Sequence, residues 1–172
     1  MERGSVDEIE KKSKFILINS LFTFIVSSSA IMFGSKSNFW AFFMGGWAGE
    51  PDKNFESLLV TVAFLVAWLL YGILMGYTKK KSFMKFISLY WGIGGLIGLT
   101  GVLLSPIGKW AIIVIPVDIL ILVPTYGLTY YFPSSYSLHL IICITSSWSA
   151  GAIGYLLGYL LKKLRVSALS DK

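Results

Sequence analysis

The chain of 172 residues has the composition of a protein whose main solvent is lipid. Hydrophobic residues make up 55% of it and charged residues 14%, and its mean hydropathy is +0.71. A soluble domain of this size would have too little polar surface to cover its core. Since a crossing takes about 20 apolar residues, the length predicts a single membrane domain over residues 1–172 and leaves no room for a separate soluble domain.

The net charge of +6 comes from short basic clusters that adjoin apolar runs. Clusters in this position are typical of juxtamembrane flanks, whereas a nucleic-acid interface needs basic residues spread over one folded face. We therefore predict the lipid bilayer as a partner and no nucleic acid. The clusters are Lys11, Lys12 and Lys14; Lys79, Lys80, Lys81 and Lys85; and Lys162, Lys163 and Arg165.

Four apolar runs have the length of a membrane crossing. The segment before them, residues 1–14, mixes acids with bases, unlike the simply positive start of a secretory signal, and is interpreted as a cytoplasmic segment ahead of a retained first helix. The four runs are residues 15–33, 57–77, 86–104 and 138–161.

A fifth run, residues 110–132, decides the predicted topology. Hydropathy would let it cross, because its Ile, Leu and Val residues contribute about −0.3 to −0.6 kcal/mol each against about +2.5 to +3.5 kcal/mol for Asp118. The distribution of basic residues argues against a crossing by this run. With four crossings, twelve of the 15 Lys and Arg residues are cytoplasmic, whereas a fifth crossing leaves eight against seven. We predict four crossings, both termini in the cytoplasm, and residues 110–132 as an outer loop that lies on the membrane or dips into it.

Two of the apolar runs end in similar sequences, GILMGYTKKK at residues 72–81 and GYLLGYLLKK at residues 154–163. The match predicts two copies of one helical hairpin, residues 15–81 and 82–165, followed by a cytoplasmic tail at 166–172. Each copy crosses twice, so the copies would be parallel and related by a twofold axis along the membrane normal. The alternative is convergence, since Tyr favours the interface and Lys the cytoplasmic side of any helix.

The predicted fold is therefore all-α: an integral membrane protein of four transmembrane helices, arranged as two parallel hairpin repeats with apolar interfacial or re-entrant outer loops. Small residues spaced by four indicate the packing faces, because they let helix backbones approach closely in lipid. Packing within one bundle and homo-oligomerisation are both compatible with them. Asn19 is expected to hydrogen-bond across helices. The glycines predicted at helix contacts are Gly72, Gly76, Gly94, Gly98, Gly101, Gly154 and Gly158.

Three polar residues on the predicted outer side are candidates for function: Asp118, His139 and Lys109. Pro116 would break a helix that dips into the membrane, and Asp118 could accept hydrogen bonds from the freed amides. Non-helical backbone at this depth survives only inside protein or along water, as in pores and binding sites. An ionised Asp118 would then need His139 or Lys109 as a partner. The alternatives are a capping acid near the headgroups and a hydrogen-bonded interfacial histidine.

Catalytic and cofactor motifs are missing from the sequence. The single cysteine, Cys143, and the single histidine cannot form a metal cage by themselves, and the chain has no nucleophile elbow, Walker-type loop or Cys-x-x-Cys pair. We predict no metal and no cofactor. The pattern favours a multi-pass protein of a prokaryotic cell membrane that acts by association, as a non-catalytic subunit or accessory of a complex. A small transporter or channel component is the alternative, and a lipid- or quinone-active enzyme is the third.

Overall fold

The computed structural model describes residues 3–34, 55–104, 120–121, 123–130 and 136–170. Within these ranges the chain forms long α-helices and one 3-10 helix and contains no strand, which confirms the predicted all-helical class for the described part. The helices are α1 (Arg3–Gly34), α2 (Phe55–Tyr77), α3 (Ser82–Leu104), the 3-10 helix (Val123–Tyr130) and α4 (Tyr136–Ser170).

Each α-helix contains a stretch that is long and apolar enough to cross a membrane, which indicates an integral membrane protein and confirms the predicted set of four such helices. Large aliphatic side chains on these helices, such as Leu70 and Leu96, are more than half exposed, a pattern that suits lipid contact better than water. The stretches are Ile9–Phe33, Phe55–Tyr77, Ser82–Thr100 and Leu138–Ala168.

Side-chain contacts at two levels fix the direction of each helix pair. They show that α1 is antiparallel to α2 and α3 is antiparallel to α4, while glycine contacts show that α2 and α4 are parallel. The antiparallel pairs of contacting residues are Asn19–Tyr71 and Phe22–Trp68 between α1 and α2, and Phe83–Tyr155 and Ser88–Trp148 between α3 and α4.

These directions place all three basic clusters at one end of the bundle, here called the basic end: the starts of α1 and α3, the turn that joins α2 to α3, and the last part of α4. The helix termini at Gly34, Phe55, Leu104 and Tyr136 lie at the opposite end, here called the outer end. Because α3 ends and α4 begins at the outer end, the helix directions are those that four crossings require.

Aromatic side chains fill the centre of the bundle. Trp68 of α2 and Trp91 and Phe83 of α3 are at most 1% exposed. The two indole rings meet edge to face with their centroids 5.6 Å apart, and Phe64 adds a second edge-on contact to Trp91 at 6.4 Å. Such pairs contribute about 0.5–1.5 kcal/mol each beyond the area they bury. The bundle interior at this level is therefore a packed core.

Candidate functional site

The most extensive helix contact of the described chain joins α2 to α4, and glycines lie in it. Gly72 and Gly76 of α2 lie against the backbone of α4, while Gly154 and Gly158 of α4 lie against the backbone of α2. A Cβ atom added to any of the four would approach a backbone carbonyl oxygen of the other helix more closely than real Cβ atoms do. Only hydrogen side chains permit this backbone separation, so the glycines determine how near the two helices lie.

The contacts between α2 and α4 are reciprocal. Gly72 and Gly154 are 82 positions apart in the sequence, and the residues that they contact are related by the same spacing of 82. Gly72 contacts Gly151 and Tyr155, and Gly154 contacts Leu69 and Ile73.

The glycines of α3 have a different environment. Gly94 and Gly98 are buried, and Gly101 lies in the last turns of the helix. The notch above Gly94 holds the side chain of Ile121, a core residue that is 3% exposed. At Gly94, therefore, α3 receives a side chain from the run 110–132 and not the backbone of another helix.

Five buried residues near the outer end form what we call the outer polar cluster: Ser57 and Thr61 of α2, Thr125 of the 3-10 helix, and His139 and Cys143 of α4. All are at most 6% exposed. Polar groups removed from water need hydrogen-bond partners, and in this cluster the 3-10 helix supplies several of them.

Thr61 links α2 to the 3-10 helix through two hydrogen bonds. Its hydroxyl donates to the carbonyl oxygen of Pro124 over 3.0 Å and accepts from the amide N–H of Gly127 over 3.0 Å. The absence of a side chain at Gly127 lets it lie directly on the backbone of Ser57. Backbone outside an α-helix must find such partners wherever lipid or protein replaces water. The Thr61 hydroxyl supplies them.

The position of Thr61 shows how far the 3-10 helix enters the bundle. Thr61 follows Phe55 by six residues, a distance of about 9 Å along α2 at 1.5 Å per residue. Val123, Pro124 and Thr125 are fully buried there. The buried residues 121, 123–125 and 127 thus lie between the helices and not along their outer surface.

His139 and Cys143 stand one turn apart on α4, with the imidazole Nε2 3.2 Å from the thiol Sγ. The Sγ atom also lies 4.0 Å from the carbonyl oxygen of Thr125, a weak contact to the 3-10 helix. A thiol buried in this way is inert, because nucleophilic and redox chemistry require access to solvent or substrate. Within the described ranges, no three His, Cys, Asp or Glu side chains are placed to hold a metal ion.

The structure places one of the three predicted polar candidates. His139 lies in the outer polar cluster beside Cys143. Asp118 and Lys109 fall outside the described residues, and the pairing of Asp118 with His139 stays a prediction. Sequence reasoning missed Thr61, although a signal was present: Ser57 and Thr61 are hydroxyl residues four positions apart in an otherwise apolar run, hence on one face of α2.

The arrangement is suited to holding helices together more than to chemistry on a substrate. Its hydrogen-bonding groups contact each other across α2, α4 and the 3-10 helix. Comparison of the chain with protein-family models, with curated proteins and with solved structures gave no match.

Proposed function

We propose that the chain crosses a cell membrane four times, with its basic end in the cytoplasm, and acts by association as a non-catalytic subunit or accessory of a membrane complex. The orientation is supported by the three basic clusters at one end of the bundle, since loops rich in Lys and Arg stay in the cytoplasm. Its lipid-facing surface consists of the exposed aliphatic side chains of the four helices.

The observation that carries the association proposal is how the interior is occupied. Trp68, Trp91 and Phe83 fill the centre of the bundle, and Thr61 and Cys143 contact the 3-10 helix. A transporter or channel component would need a polar path through the bundle, and aromatic side chains occupy the level of Trp68 and Trp91. What the described bundle offers to other molecules is therefore its outer surface.

We also infer that the two hairpins, α1 with α2 and α3 with α4, are copies of one unit. The reciprocal glycine contacts of α2 and α4 at a spacing of 82 residues support this inference, because a twofold axis between two parallel helices produces such pairs.

Purification from native membranes tests the proposed association. The tagged full-length chain would be extracted with a styrene–maleic acid polymer, which keeps surrounding lipid, and weighed by mass photometry and native mass spectrometry. We expect a particle that contains the 19.1 kDa chain with one or more membrane proteins in fixed stoichiometry. A tagged four-helix protein of unrelated sequence, expressed at the same level, controls for random capture.

A stable, monodisperse monomer without partners would contradict the proposal. A particle made only of copies of this chain would also reject the accessory role, and would locate the association between its own surfaces.

A further inference from the structure

The turn that joins α2 to α3 is closed by backbone hydrogen bonds. The amide of Lys80 donates to the Met75 carbonyl over 3.0 Å, and the amide of Lys79 donates to the Gly76 carbonyl over 2.9 Å. This pair of bonds is the Schellman pattern that ends many helices. It turns the chain sharply and places Lys79, Lys80 and Lys81 together at the basic end.

Lys79 occupies a position that glycine usually takes. Its φ is 56°, in the left-handed region, and it is the only non-glycine residue with positive φ among the described residues. Left-handed backbone costs a residue with a side chain free energy that glycine does not lose. A strained position of this kind motivates a search for a function of the side chain, here a positive charge at the tip of the turn.

Tyr77 connects this turn to the end of α4. The Arg165 guanidinium donates a hydrogen bond to the Tyr77 hydroxyl, and the Lys162 ammonium lies 5.8 Å from the centroid of the same ring. The two contacts hold basic side chains of α4 at Tyr77, the last residue of α2, which the lysines of the turn follow by two to four positions. Positive charges from two separate parts of the chain are thus held at one place.

The turn and the described part of α4 contain no acidic residue, and the one acid of α2 and α3, Glu56, lies at the outer end. The acids of the basic end, Asp7, Glu8 and Glu10, belong to α1, where Glu10 is engaged by Lys14 at 2.6 Å. The first turn of α3 contributes the partial positive charge of its helix dipole next to Lys81. The excess of positive charge at the turn and the end of α4 favours an anionic ligand.

We propose that Lys79, Lys80, Lys162 and Arg165 bind the phosphate head group of an anionic phospholipid, with Tyr77 as a positioning residue. A lipid is favoured over free phosphate because apolar helix faces continue from the site toward the outer end, beginning with the exposed side chains of Leu74 and Leu161. The acyl chains of a bound lipid would lie along these faces. Basic sites between helices at the cytoplasmic side are known to select such lipids. This proposal depends on the proposed membrane location and not on the proposed association.

Native mass spectrometry of the full-length chain tests the site. The protein would be purified in neutral detergent and mixed with phosphatidylglycerol, with phosphatidylcholine or with inorganic phosphate at equal concentration. We expect native mass spectrometry to show retained phosphatidylglycerol and a thermal-unfolding measurement to show a raised Tm. We expect neither effect with phosphatidylcholine or with inorganic phosphate. An equal rise in Tm with inorganic phosphate would overturn the assignment to a lipid, and equal retention of phosphatidylcholine would overturn the role of the head-group charge.

Matched variants separate a built site from general attraction to a charged surface. Lys162→Gln with Arg165→Gln should lower phosphatidylglycerol retention at least tenfold, whereas Lys85→Gln with Lys163→Gln, which also removes two charges, both exposed, from the basic end, should change it less than twofold. Equal losses in both would overturn the proposal. Lys79→Gly removes a charge while suiting the left-handed backbone, so it should fold and still weaken retention. If the variant with both Lys162 and Arg165 replaced fails to fold, unchanged retention in Lys79→Gly would overturn the proposal.

Discussion

Substitution of Gly154 by alanine tests whether the α2–α4 contact holds the bundle together. The added Cβ atom would meet the Leu69 carbonyl oxygen and lie 3.0 Å from its carbon and 3.1 Å from the Ile73 amide nitrogen. These are backbone atoms of α2, so no rotamer change can relieve the overlap. The two helices must move apart.

The magnitude follows from comparison with Gly151, one turn earlier on α4. A Cβ atom at Gly151 would meet only side chains at ordinary distances, 3.4 Å from Ile87 Cδ1 and 3.7 Å from Trp68. Both substitutions gain the same helix propensity, at most about 1 kcal/mol. The difference between the two variants is therefore the overpacking cost, about 1–3 kcal/mol.

Reversible unfolding in mixed micelles, driven by sodium dodecyl sulfate and followed by circular dichroism, measures this difference. We expect Gly151→Ala to be at least as stable as the wild type, and Gly154→Ala to be less stable than Gly151→Ala by about 1–3 kcal/mol. Gly72→Ala should match Gly154→Ala, because its added Cβ atom would meet the reciprocal backbone atoms of α4. Equal stability of Gly154→Ala and Gly151→Ala would refute the claim that backbone contact at Gly154 limits the helix separation.

Two further predictions concern hydrogen bonds between segments. Thr61→Val keeps the shape of the side chain but leaves the Pro124 carbonyl and the Gly127 amide without their hydrogen-bond partner. It should lower the free energy of unfolding by about 1–3 kcal/mol and speed hydrogen exchange at the Gly127 amide. Thr61→Ser keeps the hydroxyl, so a Thr61→Ser variant as unstable as Thr61→Val would contradict the role of the hydroxyl. Asn19 accepts from the Tyr71 hydroxyl over 3.1 Å, so a double-mutant cycle of Asn19→Ala and Tyr71→Phe should give a coupling of about 0.6 kcal/mol, and strict additivity would contradict that bond.

Sequence periodicity and hydropathy predicted the four membrane-length helices because each is a local property of consecutive residues. The start of the first helix could not be predicted from hydropathy. Helix α1 begins at Arg3, well before the apolar run at residue 15. Part of the reason is the pair Glu10 and Lys14, whose spacing of four residues supports a helix outside lipid. A hydropathy scale scores each residue separately and does not include the stabilisation of a helix by such an ion pair.

The packing of residues 123–130 could not be read from the sequence. Thr61 bonds to Pro124 and Gly127, which lie 63 and 66 residues away, so no local pattern reveals the contact. Hydropathy also gives the same value to a segment that crosses lipid and to one that packs between helices. The spacing of small residues similarly predicted that Gly72 and Gly154 lie on helix-packing faces. Which helix packs against each face depends on the three-dimensional arrangement and could not be predicted.

Reporter fusions test the orientation of the bundle most directly, because four crossings with the basic end inside underlie both the association and the lipid site. An enzyme active only outside the cytoplasm would be fused after Lys81, after Lys163 and after Ser135, beside a reporter active only inside. We expect cytoplasmic signals at Lys81 and Lys163 and an external signal at Ser135. A cytoplasmic signal at Ser135 would mean that residues 110–132 cross the membrane, and it would contradict the four-crossing topology, the common basic end and the parallel repeat together.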